Sequence, residues 1–391
     1  MDAPVTIVGA GPAGLALARE LQRRGLRPVL LERGRVGETW ERQYEGLRLH
    51  ALASASHLPG MRWRTDERFP SAAAMVDYLR AYAERFGLDV REGVGVERAE
   101  PIAAASVGAS NGDAPGSDGW VLATDGGPWR TERLVVATGI WSAPVVPPLP
   151  GREAYGGRAL HVADYRGPAQ LEGARVLVVG LGNSGKDVAL HAARVAASVD
   201  VAVRDGAAFV PYPNTLSQRS GELWRRLPPG LADAALRRVR REHTVGGLRW
   251  PTRPPTQVYP VVGLELVEAV EAGRVRVRSA MTSFTEGGAR FADGSEASFD
   301  VVVLCTGYEP ALAAVGGIVA LSSSWRPLTD SDGFRATGAA GLYLIGHTYP
   351  TLESFLQRLR REAPRIARGV VDDLRSTAWS SPSGRRRRHH G

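Results

Sequence analysis

The sequence predicts an α/β fold of two doubly wound, parallel units, the second inserted into the first. Three observations predict it. The N-terminus reads VTIVGAGPAGLALARELQ, an apolar strand that runs through a glycine-rich turn into a helix. The same succession returns in mid-chain as ARVLVVGLGNSGKDVAL. Two further apolar strands, RLVVATG and DVVVLCTG, stand on either side of that repeat, and each ends on Thr-Gly. Strand, glycine turn and helix open a parallel βαβ unit, and 391 residues are enough for two of them.

The elements follow in order. Val5–Ala10 is β-branched and apolar, as in a strand buried on both faces. A helix is expected from about Gly14 to Arg24, with Leu15, Leu17, Ala18 and Leu21 inward, and Pro28–Glu32 is the next strand. Ser71–Gly87 reads as an amphipathic helix with Ser71 as its N-cap. Residues 99–119 are rich in Ala, Ser, Gly and Pro and predict a surface excursion. Arg133–Gly139 is a buried strand. Ser142–Gly151 holds too many prolines for a helix or a central strand, and reads as an extended crossing between domains. The pattern then restarts with a strand at Ala174–Gly180, a helix at about Ser184–Ala197 and a strand ending at Arg204. Between Pro211 and Pro260 lie helical fragments, prolines, Tyr212, Trp224 and Trp250. Asp300–Gly307 and Gly341–Gly346 are strands. A long helix from about Leu352 to Leu374 follows, with an interruption expected at Pro364. The end, SPSGRRRRHHG, predicts a disordered basic tail over 376–391.

Composition narrows the function. Hydrophobic residues make up 43% and charged residues 23%, the balance of a soluble globular chain. No apolar run approaches the ~18 residues of a membrane span. The first strand begins almost at once and leaves no room for a signal peptide, so a cytoplasmic location is expected. Cys305 is the one cysteine, which excludes an internal disulfide and a CxxC pair. The histidines lack metal-ligand spacing, and no metal site is expected. The net charge of +8 invites a nucleic-acid partner. Against it, Lys186 is the one lysine, the arginines lie among acidic residues, and four of them are the tail run Arg385–Arg388. No aromatic residues interleave with the basic ones, so no nucleic acid is expected.

The glycine loops carry the chemistry. Gly9, Gly11 and Gly14 give the GxGxxG spacing between strand and helix. The first glycine makes a tight turn, the second admits a pyrophosphate to the backbone, and the third lets helix and strand pack. The helix N-terminus then faces the phosphate charge. Glu32 ends the next strand, where an acid accepts from ribose hydroxyls, so this loop reads as an FAD- or NAD-type site. Gly180, Gly182 and Gly185 repeat the spacing, but the following strand ends on Arg204, then Asp205. An arginine there accommodates a 2′-phosphate, and the second site reads as NADP-like. Two such sites in one chain predict a relay in which NADPH delivers hydride to a bound flavin.

With these motifs in order, the chain resembles the class B flavin-dependent monooxygenases over about residues 4–370: flavin-containing monooxygenases, plant YUCCA enzymes and bacterial CzcO-type flavoproteins. GAGPAGLALA matches the FAD fingerprint. VGETWERQYEGLRLHALASASHLPG, Val36–Gly60, resembles the stretch that lines the flavin, through Trp40 and the run Leu47 to His50. VVATGIWSAPVVPPLPG and VVVLCTGYEP resemble the paired hinges that join the FAD and NADP domains, with Cys305 where alanine is usual. YGGRALHVADY matches the family's FxGxxxHxxx motif through Tyr155, Gly157, His161 and Tyr165, with tyrosine for the leading phenylalanine.

The resemblance implies domains at 1–150 (FAD, first part), 151–290 (inserted NADP domain) and 291–375 (FAD, second part). It implies cofactor contacts from Gly9, Gly11, Pro12, Ala13, Gly14, Glu32, Trp40, Leu49, His50, Thr138, Gly139, Gly180, Gly182, Asn183, Ser184, Gly185, Arg204, Thr306, Gly307, Gly346 and His347. Candidate catalytic residues are His161, Arg48 and His50. His161 suits cofactor positioning better than proton transfer, and Arg48 would suit a substrate carboxylate. Lys186 is expected merely near phosphate. In the family, reduced FAD activates dioxygen as a 4a-(hydro)peroxyflavin, which oxygenates nitrogen, sulfur or a carbonyl carbon. Members acting on simple amines and sulfides carry an asparagine in the region that here reads LRLHALAS, which has none. This favours the YUCCA/CzcO branch, which includes oxidative decarboxylation of aryl-pyruvates. The implied partners are a small organic substrate and dioxygen, with assembly state open, a homodimer included. Two other readings stay open: an NADPH oxidase or acceptor reductase without oxygen insertion, and a flavin-based redox sensor that binds a partner.

Overall fold

The computed structural model describes all residues except 104–116, 215–227, 229, 232, 235–245, 254–257, 323–325, 348–352 and 381–391. Its main elements are β1 (Ala3–Val8), α1 (Pro12–Gln22), β2 (Val29–Glu32), α2 (Ala72–Arg85), β3 (Asp89–Glu92), β4 (Val96–Ala103), β5 (Ser117–Thr124) and β6 (Gly127–Val136). Then come β7 (Arg158–His161), β8 (Arg175–Val179), α3 (Asn183–Val195), β9 (Ser198–Ala202), α4 (Glu265–Glu271), β10 (Arg276–Arg278) and β11 (Val301–Leu304), followed by β12 (Leu342–Leu344) and α5 (Phe355–Ser380).

The first unit is a sheet in the order β3-β2-β1-β6-β5-β4, with β12 parallel to β6. Its β3, β2, β1, β6 and β12 are mutually parallel, while β4 and β5 continue β6 as an antiparallel meander. Of the excursion expected at 99–119, strand pairing takes in the two ends, extending to Ala103 and resuming at Ser117, and residues 104–116 lie outside the described residues. The second unit is an all-parallel sheet in the order β10-β9-β8-β11-β7. Each sheet buries its apolar strands under helices. Val5, Ile7, Leu30 and Val135 pack with Leu15 and Leu21 of α1 and Leu359, Ile366 and Val370 of α5. Val176, Val178, Val201 and Val303 pack with Val188 and Ala192 of α3 and Leu266 of α4.

Two expectations need correction. The strand at Val301–Leu304 pairs with β7 and β8 of the second sheet, so the return to the first unit falls after Leu304 and not at 291. Helix α5 also runs through Pro364 without a break and on to Ser380, into the segment read as a tail. A proline removes one backbone bond of a helix. Here the buried stripe continues on both sides of it, through Leu359, Ala363, Ile366, Ala367 and Val370. The Arg24 guanidinium also donates to the Pro364 carbonyl (3.0 Å). The run Arg385–Arg388 lies outside the described residues. Ser71 caps α2 as expected, its hydroxyl accepting from the Ala74 N–H.

The two crossings run side by side. Ala143–Pro144 pairs antiparallel with Tyr308–Glu309. The Val145 N–H donates to the Gly307 carbonyl (3.0 Å), and the Thr306 hydroxyl donates to the Val145 carbonyl (2.6 Å). The link between the units is therefore a short two-stranded strap.

Candidate functional site

Both glycine loops have the same geometry. A Cβ at Gly9 would lie 2.7 Å from the Ala137 carbonyl oxygen, and one at Gly180 would lie 2.6 Å from that of Cys305. Each loop thus sits on the end of the strand that leads to a crossing, and glycine is required by this approach and by positive φ, 103° and 96°. The middle glycines, Gly11 and Gly182, face open space. Each N-caps a helix, with Pro12 in the first turn of α1. The helix ends therefore offer free N–H groups beside room for a phosphate. Glu32 bridges the first loop: one carboxylate oxygen accepts from Ala10 N–H (2.8 Å) and the other from Gly34 N–H (3.0 Å). Each oxygen keeps a lone pair for a ribose hydroxyl.

The floor of the first site is built by Thr138, Gly139, Gly346 and His347. The Thr138 hydroxyl donates to the Ala311 carbonyl and so accepts from His347 Nε2 (3.3 Å). That fixes the tautomer and leaves His347 Nδ1 a bare acceptor, buried without a partner among the described residues. His347 is 5% exposed, and burial lowers its pKa to about 4. Gly346 lies against Ala13, at the start of α1. An unpaired buried acceptor beside an open helix N-terminus fits a polar cofactor ring.

The segment of residues 36–60 joins the units. Trp40 and Leu49 pack against the first core and Leu47 against the second. Tyr44 is buried in the second unit, where its hydroxyl donates to Asp187 (2.9 Å). His50 Nε2 lies 3.9 Å from the same carboxylate, and burial lowers its pKa. Lys186 follows the last loop glycine, and its side chain turns inward. Its side chain is 2% exposed, and its ammonium donates to the Val262 carbonyl (2.7 Å) and Tyr212 hydroxyl (3.3 Å) and pairs with Asp187 (3.3 Å). Burial opposes the charged form, but Asp187, Tyr212 and Glu265 outweigh it and raise the lysine pKa. Tyr212, exposed, packs its ring at a tilt against Phe69 with ring centroids 5.0 Å apart.

Some predicted residues have other work. Asn183 spends its amide on Pro260 and Val262 and so fastens that segment to the loop. The Ser184 hydroxyl reaches Tyr44. His161 is committed at both nitrogens: Nδ1 accepts from Ala163 N–H (3.1 Å), so Nε2 donates to the Gly307 carbonyl (3.2 Å). Burial also lowers its pKa. It therefore orders the strap and has no lone pair left for proton transfer. Arg48 Nη1 pairs with Glu67 (2.9 Å) and donates to the Phe69 carbonyl (3.0 Å) at the start of α2, and the rest of its guanidinium is exposed. Arg204 is exposed just beyond β9. Trp224 lies outside the described residues. Sequence reasoning missed Tyr44 and Asp187; the one local signal was an acid two positions past the third loop glycine. Among the described residues, no group of His, Cys, Asp or Glu is placed to hold a metal ion, and no helix is long and apolar enough to cross a membrane.

Residues 6–213 match the pyridine nucleotide-disulphide oxidoreductase family. The chain is 34% identical to rice indole-3-pyruvate monooxygenase YUCCA1 over 364 residues, 88% of this chain and 86% of that one. Among solved structures, it is similar to a mutant flavin monooxygenase from Stenotrophomonas maltophilia, at a TM-score of 0.74 and 25% identity, covering 95% and 99% of the two chains. It shares its fold with OTEMO solved in complex with FAD and NADP, at a TM-score of 0.69 and 17% identity, covering 96% and 86%.

Proposed function

The chain belongs to the pyridine nucleotide-disulphide oxidoreductase family and, within it, to the class B flavin monooxygenases, and from that premise we propose an FAD- and NADPH-dependent oxygenation of a small organic molecule. One observation carries the reading: two loops of the same geometry end in opposite chemistry, an acid at Glu32 and a cation at Arg204. The first suits a free ribose, the second a 2′-phosphate. FAD would be held by the Gly9–Gly14 loop, Glu32, Thr138–Gly139 and Gly346–His347. NADPH would be held by the Gly180–Gly185 loop and Arg204. When bound, FAD supplies hydride acceptance and the activation of dioxygen.

The chain's own residues bind, orient and exclude water. The N-termini of α1 and α3 would offer backbone N–H groups to the two pyrophosphates. His347 Nδ1 offers an acceptor to a donor on the flavin or substrate. Residues 36–60 close the space between the units, and the strap at 143–145 and 306–309 keeps the loops in register. A thiol relay is excluded, because Cys305 is alone and desolvation pushes its thiol far above the ordinary range.

The similarity to an indole-3-pyruvate monooxygenase makes aryl 2-oxo acids the substrate class to try first. The test is turnover of the FAD-loaded enzyme with NADPH under ¹⁸O₂, with indole-3-pyruvate, an amine and a sulfide offered in parallel. One substrate should give a product carrying a single ¹⁸O atom. Hydrogen peroxide matching the NADPH consumed, with no labelled product from any class, would favour the oxidase instead.

A further inference from the structure

The strand end that selects the nicotinamide cofactor carries both kinds of side chain. Arg204 suits a 2′-phosphate, whereas an acid such as Asp205 suits the free 2′-hydroxyl of NADH. A carboxylate free to face the phosphate would also repel it and neutralise the arginine. Which of the two residues reads the cofactor therefore depends on where Asp205 is held.

Asp205 is held by the segment that carries Thr252 and Arg253. Its Oδ1 accepts from both the backbone N–H (3.3 Å) and the hydroxyl (2.8 Å) of Thr252, and its Oδ2 lies 3.5 Å from Arg253 Nε. The segment that carries these partners is fastened to the strand end. The Ala207 N–H donates to the Arg249 carbonyl (3.0 Å), and a Cβ at Gly206 would come within 2.2 Å of the same oxygen. Gly206 takes a φ of 79°, so a side chain there is excluded twice over. The Thr252 contacts, with Arg253 behind them, hold the carboxyl below the ordinary carboxylate range. Arg204 is left exposed as the cation at the strand end.

We propose that Thr252 and Arg253 are specificity-determining positioning residues: they draw Asp205 out of the cofactor site so that Arg204 alone reads the ribose, and this makes the enzyme select NADPH over NADH. The proposal rests on the NADPH reading above. Its measurable consequence is that releasing Asp205 moves cofactor preference towards NADH without touching the chemistry.

The experiment is anaerobic flavin reduction in the FAD-loaded enzyme, with concentration series of NADPH and NADH. The wild type, Thr252→Val, Arg253→Ala, their combination, and that combination with Asp205→Asn are compared. The wild type should prefer NADPH. The combined variant should need about tenfold more NADPH for half-maximal rate, the change expected from one new like-charge contact, with NADH unchanged or improved and the limiting rate preserved. Adding Asp205→Asn should restore NADPH. Each single variant should give part of the shift, which serves if the combined variant does not fold. A wild-type preference for NADPH that survives every clamp variant overturns the clamp and leaves the NADPH reading standing. Failure of Asp205→Asn to restore NADPH overturns it as well, since Arg253 would then contact phosphate directly. A wild type that prefers NADH overturns the NADPH reading and the clamp together.

Discussion

At the scale of single residues, His347 departs most from ordinary protein chemistry. A buried ring nitrogen without a partner costs free energy unless something bound supplies the donor. Replacing His347 with leucine removes the acceptor while keeping an apolar side chain in place. FAD should then be held about tenfold more weakly, the worth of about one net hydrogen bond, as read by fluorescence titration of the deflavinated enzyme. Unchanged FAD affinity would mean that Nδ1 faces something other than the flavin. His347 was legible in the sequence because it follows a buried strand and precedes a helix, where ligands gather in parallel sheets. Arg48 and His161 were legible only as residue types. Their work is set by Glu67 and by the Gly307 carbonyl, 19 and 146 residues away in the chain, and no local pattern encodes such partners.

At the scale of elements, the glycine loops, their strands and their helices follow from local rules, and so they could be read in order. The docking of residues 36–60 on α3 could not, since it depends on which side chains two distant segments bring together. Lys186 shows the difference. Its position after a phosphate-type loop says only that it lies near phosphate, and the partners onto which the helix turns it, Val262, Tyr212 and Asp187, are set by distant segments and by packing. A buried cation in such a cluster is costly to remove alone, because the carboxylate stays behind. Lys186→Met should therefore destabilise the protein by about 3–5 kcal/mol, measured by chemical denaturation of the FAD-loaded enzyme. Adding Asp187→Asn should return part of that loss, since the stranded charge is gone. Additive losses in the double variant would show that the two side chains do not act as a pair.

At the scale of the molecule, two parallel-sheet units are joined by the strap and by residues 36–60, and burial imposes a shared constraint on the five described histidines. His50, His57, His161, His191 and His347 all titrate below their ordinary range, each with burial as the largest cause. They span both units and the segment between them, so both should answer to acid. The sign follows from where protons bind. Below pH 6.5 the unfolded chain takes up protons at these rings, while the folded chain keeps them neutral down to their lowered values, about 4 for His347. Stability is thus complete above pH 6.5 and declines as the pH falls towards 4. For His347 alone the decline is on the order of 3 kcal/mol, from its shift below 6.5. Paired carboxylates act lower. Asp300, held to about 2 by its hydrogen bonds with Arg175, adds acid sensitivity only below the ordinary aspartate range. Urea midpoints of the FAD-loaded enzyme should therefore drop between pH 6.5 and 4.5, and His347→Gln should flatten part of the slope. A midpoint constant over that range would mean that the buried rings gain protons in the folded chain as readily as in the unfolded one. The architecture would then admit water where the packing of both units excludes it.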